Sequence, residues 1–285
     1  MQNRSNFMKK IKIVADSSSD VMKLKNVDFS SAPLKIITSE REFVDDASLD
    51  IAEMVSFLEG YNGRSSTSCP NPEDWISNFG DAEEIYCVTI TSALSGSYNS
   101  ACMAKQMYEE KNPNARVCVI DSLSTGPEMA LIIKKIEELI LAEKCFDEIC
   151  DTIAHYQQKT GLLFMLESMK NLANNGRVSK VTAKLAGLMN IRVVGKASDG
   201  GELEPLDKPR GQLMTIRKLL ERLEFFGYEG GRIHITHCMN MPVAKAIKKD
   251  LLEKFPQAEI FIDRCRGLCS FYAERGGVLI GFEKA

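Results

Sequence analysis

Apolar residues recur along this chain with two periods. Short runs such as KIKIVA (10–15), EIYCVTI (84–90) and ARVCVID (115–121) are dense in β-branched and aromatic side chains, and DSSSD, TSALSGS and SLSTGPE follow them. Runs of that length with those stops are the pattern of buried strands. Between them the period lengthens. Leu94, Tyr98, Ala101, Ala104 and Tyr108 recur at three- and four-residue spacing, as do Met129, Ile132, Ile133, Ile136, Leu139 and Ile140, which predicts amphipathic helices. Strand, loop and helix in alternation predict a parallel sheet covered by helices.

The pattern changes near residue 160. LLFMLESMKNLANNGRVSK reads as a strand or turn entering a helix that stops near Gly176, and LAGLMNIRVVGKASDGGELEPL as a helix, a strand, a Gly-Gly hairpin and a second short strand. A helix with Leu213, Ile216, Leu220 and Leu223 on one face leads to GRIHITH, a helix from about Pro242 to Phe255, AEIFIDR and GGVLIGF. The expected fold class is therefore α/β with two domains. An N-terminal domain, 1–160, carries a parallel sheet flanked by helices, and a C-terminal domain, 161–285, carries a mixed sheet with helices.

Composition narrows the classes. The 285 residues are 44% hydrophobic and 26% charged, and the formal net charge is −3 with acids and bases mixed throughout, so no net field favours nucleic acid. The cysteines are odd in number, show no CxxC and sit mostly in apolar runs, the usage of reduced buried thiols; no metal site is expected. No apolar stretch approaches the roughly twenty residues of a membrane span, and MQNRSNFMKK lacks a signal-peptide core, so the expected location is cytoplasmic with no integral membrane segment.

The candidate chemistry lies in hydroxyl-rich loops at the predicted strand ends. Ligands of parallel sheets bind at that edge, where helix N-termini offer unpaired N–H groups to anions. The same residue types also serve simply as caps and turns. GRSSTSCPNPEDW adds Asn71 as an N-cap, Pro72 in the first helical turn and Thr67 and Ser68 just ahead. A nucleophilic serine would need a base, and the histidines are His155, His234 and His237; the last, at a strand end, is the better candidate. GxSxG, P-loop and GxGxxG motifs are absent, and with them those hydrolase and nucleotide-binding folds. Asp16, Asp20 and Asp121 stand at predicted strand ends, where orienting loops is the expected role.

The ordered set VADSSSD, TSCP (67–70), ITSALSGSYNSA (90–101), VIDSLSTG (119–126), NNGRVSKVTAKLAGLMNIRVV (174–194), KPRG (208–211) and ITHCMN (235–240) resembles the DegV family of bacterial fatty-acid-binding proteins over nearly the whole chain. The resemblance implies a two-domain protein that buries one long acyl chain, chiefly in the N-terminal domain, with no cofactor of its own. It also implies a non-catalytic, lipid-carrying role beside a separate ATP-binding fatty acid kinase subunit. Thr67, followed by Ser68, matches the carboxylate-binding threonine, and Ser92 the carboxylate-binding serine. Thr91, Ser95 and Gly96 complete the expected ligand-binding set, and Ser97 replaces a family threonine. Arg210 and His237 match residues expected at the partner-facing or interdomain surface. Met54, Phe57, Phe79, Met103 and Met107 are compatible with a tunnel wall.

One departure stands out. A C-terminal histidine of the family, a third carboxylate ligand, is replaced in FYAERGG by Ala273, which cannot hydrogen-bond. Arg192 and Val193 likewise replace a family lysine and proline. Tyr272, Glu274 or Arg275 could rebuild the lost contact, and Arg275 offers a charge-assisted bond. The alternative function is an enzyme acting on a small phosphate or acyl-phosphate substrate through the same loops, with His237 or Asp16 as base. A pure interaction protein would have a filled, dry N-terminal domain.

Overall fold

The computed structural model describes residues 9–179 and 190–285, so the helix expected just before Ile191 lies outside the described residues. Three of the runs read as strands form one sheet. β1 (Ile11–Asp16), β6 (Glu84–Thr89) and β7 (Arg116–Asp121) join β2 (Asp28–Ala32) in the order β2-β1-β6-β7, all parallel. Every residue of β6 is buried, as expected of a central parallel strand covered on both faces. Helices α2 (Pro72–Phe79) and α3 (Ser97–Lys111) cover one face, while α4 (Gly126–Leu141) and α5 (Phe146–Tyr156) cover the other. The Asn71 cap forms as expected: its side chain accepts from Asp74 N, and Asp74 accepts from Asn71 N, each at 2.9 Å.

The second sheet is mixed. β8 (Thr160–Leu166), β9 (Val193–Ala197), β10 (Leu203–Asp207), β11 (Arg232–His237), β12 (Glu259–Arg264) and β13 (Val278–Glu283) take the order β10-β9-β8-β13-β11-β12, with only β11 and β12 parallel. Its strands all come from residue 160 onward. Beyond the short α6 (Lys170–Asn174), α7 (Gln212–Phe225) and α8 (Met241–Lys254) pack on one face through Leu219, Leu223 and Ile247. A small antiparallel sheet, β4-β3-β5, built from β3 (Lys35–Ile37), β4 (Glu42–Val44) and β5 (Ser66–Ser68), was not legible as strands.

The two halves share a core. Ile36, Phe43, Met54 and Val55, the last two on α1 (Ile51–Gly60), pack in one cluster with Leu162, Phe164, Val193 and Leu279 from the mixed sheet. α4 lies between the sheets, and its run from Met129 to Ile133 is buried all round. Gly281 makes that approach feasible: a Cβ there would fall 2.5 Å from the backbone of Pro127 and Glu128.

Candidate functional site

A cavity of about 280 Å³ opens between the parallel and mixed sheets. Leu34, Ile90, Leu162, Phe164, Leu166, Leu268 and Leu279 make it largely apolar, while Thr67, Ser68, Ser95, Gly96 and Tyr272 supply polar groups. This cavity is not confined to the N-terminal half, where the tunnel was expected: both halves build its walls. None of the five large residues proposed as wall lines it. Met54 and Phe79 are fully buried in core clusters, and Met103 is 55% exposed.

Thr67 sits in β5, paired with Ile36 of β3, which fixes its hydroxyl rather than leaving it in a loose turn. That hydroxyl meets the Tyr272 phenol at 2.8 Å. Tyr272 belongs to α9 (Gly267–Ala273), whose N-terminal amides at Gly267 and Leu268 donate to Asp45 at 2.7 and 2.8 Å. Burial raises the phenol pKa, while the Thr67 hydroxyl and the charge of Arg177 oppose that rise. The site is therefore neutral at Tyr272, a donor for an anion. Removing either hydroxyl, Tyr272→Phe or Thr67→Val, is expected to cost about 1 kcal/mol in urea unfolding. The double variant should cost no more than either single change plus a few tenths; full additivity would mean the bond contributes nothing.

The loop from Thr91 to Gly96 divides its residues between inside and outside. Leu94 N donates to Thr91 O at 3.3 Å, a turn that places Ser92 on the outer side and Leu94, Ser95 and Gly96 at the cavity. Ser92 is exposed, its amide held by Asp121 at 3.1 Å, and it does not line the cavity. Thr91 does not line it either. It is buried and accepts from Ala93 N at 3.2 Å, and a Cβ at Gly201, whose φ is +78°, would fall 2.0 Å from its hydroxyl. Thr91 is thus where the β9–β10 hairpin docks on the loop.

Arg275 also leaves the expected set. It makes a two-pronged ion pair with Glu59, at 2.5 and 3.0 Å, outside the cavity. Glu274 is occupied as well, accepting from Asn171 N at 3.1 Å. Ala273, where the resemblance implied a replaced histidine, does line the cavity. Arg210 is exposed, but His237 is 2% exposed and cannot face a partner: its Nδ1 accepts from Asn240 N at 3.1 Å, a structural role. The cation missed by sequence reasoning is Arg177, which lines the cavity and donates through Nε to Leu94 O at 3.2 Å. Its only signal was its place after the helix stop at Gly176.

These features coincide with a known family. The model described as an uncharacterised protein of the DegV family matches residues 10–284, and the chain belongs to that family. A DegV domain-containing protein of Streptococcus pneumoniae is 44% identical over 276 residues, covering 95% of this chain and 98% of the relative. Among solved structures, the fatty acid kinase (Fak) B3 protein of S. pneumoniae, loaded with linoleic acid, is similar at TM-score 0.95 and 44% identity over 97% of this chain and 100% of that one. A DegV family protein of Eubacterium eligens loaded with heptadecanoic acid gives TM-score 0.95 and 43% identity, covering 96% and 100%.

Proposed function

We propose that the chain binds one long-chain fatty acid with its tail in the intersheet cavity and its carboxylate held by Thr67, Ser95 and Tyr272, and presents it to a separate ATP-binding kinase subunit. The observation that carries this reading is the Thr67–Tyr272 pair at the polar side of an otherwise apolar cavity. Ser95 takes the role expected of Ser92, and the Tyr272 phenol stands in for the imidazole absent at Ala273. Arg177 supplies the nearby positive charge. The relatives loaded with linoleic and heptadecanoic acids support the ligand class, and the kinase name of one supports the partner.

Burial of methylenes, at about 0.8 kcal/mol each, brings a long tail on the order of ten kcal/mol before ordering costs. The reading of an enzyme with His237 or Asp16 as base gains no support, because His237 is buried in a structural bond and every acceptor position of Asp16 is in use. The protein purified from its native cells, extracted with organic solvent, is expected to release one equivalent of free fatty acid by mass spectrometry. Recovery of none, with no uptake of added palmitate or oleate, would overturn the proposal.

A further inference from the structure

The loop that presents Ser95 and Gly96 is held at both ends by one buried side chain. Asp16, at the end of β1, is fully buried. Its Oδ2 accepts from Ile90 N at 2.9 Å, just before the loop, and from Ser97 Oγ at 2.6 Å, the first residue of α3 just after it. Its Oδ1 accepts from Ser18 N at 3.2 Å and from the Ser18 hydroxyl. Those four donors use both oxygens fully.

We propose that Asp16 is a positioning residue for the head-group site, tying the two ends of the 91–96 loop so that Ser95 offers its hydroxyl proton to the ligand carboxylate. This inference rests on the fatty-acid reading above. α3 has no side-chain cap of its own at Gly96, so the exit of the loop depends on Ser97. The Ser97 hydroxyl donates to Asp16, and the Ser97 amide donates to Ser95 Oγ at 3.3 Å. One lone pair of the Ser95 oxygen takes the Ser97 amide, and its proton is available to an acceptor in the cavity. A bond from that hydroxyl to a carboxylate is charge-assisted and stronger than one to an alcohol of the same tail length. The chain of bonds running out from Asp16 therefore favours an anion over a neutral head.

Asparagine at position 16 has one acceptor oxygen and would set an NH2 group against donors now satisfied. Asp16→Asn and Ser97→Ala break the tie to the loop, and Ser18→Ala breaks only the arm that faces away from it. The measurement is the affinity of each folded protein, after delipidation, for palmitate and for hexadecanol. The parent is expected to prefer palmitate. Asp16→Asn and Ser97→Ala should lose on the order of tenfold for palmitate with hexadecanol little changed, and Ser18→Ala should keep the parent ratio.

An unchanged ratio in Asp16→Asn and Ser97→Ala overturns the inference, as does an equal loss for both ligands, which a merely structural role would give. Where Asp16→Asn fails to fold, Ser97→Ala decides alone. A parent protein that binds neither ligand overturns the fatty-acid reading and this inference with it. Palmitate binding with no parent preference overturns the inference alone.

Discussion

Shortening the acyl ligand from eighteen to twelve carbons is expected to weaken binding on the order of a thousandfold. Each methylene removed from an apolar cavity forfeits about 0.8 kcal/mol, so six of them approach 5 kcal/mol, and every 1.4 kcal/mol is about tenfold. The walls that produce this dependence are aliphatic: Leu34, Leu162, Leu166, Leu268 and Leu279 offer nothing to a polar tail. By contrast, losing one hydroxyl at the head through Thr67→Val is worth about 1 kcal/mol, roughly a fivefold change. On the proposed reading, affinity is thus expected to reside in the tail, and orientation in the head. Titration of the delipidated protein with saturated acids of even length checks this, and a flat series would show that the cavity does not hold the tail.

Much of the architecture was legible because it is written locally. The runs around Ile13, Cys87 and Val119 are buried strands with the parallel order expected of them, and the Asn71–Asp74 box is visible in PNPED alone. The small sheet escaped notice because Lys35–Ile37 and Glu42–Val44 are three-residue strands without a full alternation to read. The site was only half legible for a different reason. Thr67 and Tyr272 are 205 positions apart, and no spacing rule joins them; their meeting depends on β5 pairing with β3 and on α9 being pinned to Asp45. Within the hydroxyl loop, composition could not separate Ser92 from Ser95, since a single turn bond from Leu94 to Thr91 decides which one faces the cavity. Arg275 looked free in sequence because its partner, Glu59, lies on a helix far away along the chain.

The same interface between the halves carries a cost that pH should reveal. Asp20 is half-buried beside Asp45; its Oδ1 accepts from Arg266 N at 2.6 Å, while its Oδ2 is shut away from solvent with no hydrogen-bond partner among the described residues. Desolvation first, and the charge of Asp45 after the opposing Arg266 bond, raise its pKa from 3.8 to about 7. A carboxyl raised in this way binds its proton more tightly when folded, so its contribution is full below the unfolded value and is lost as pH climbs toward 7. At about 1.36 kcal/mol per pKa unit, the loss approaches 4 kcal/mol and is complete above that pH. Asp20→Asn keeps the Oδ1 acceptor, removes the charge and tolerates the left-handed backbone at φ 60°. Its stability relative to the parent is therefore expected to rise by up to about 4 kcal/mol between pH 4 and 7 and to level off at higher pH. Urea unfolding of both proteins across that range measures the difference, and a difference independent of pH would mean that Asp20 ionises without penalty where it lies.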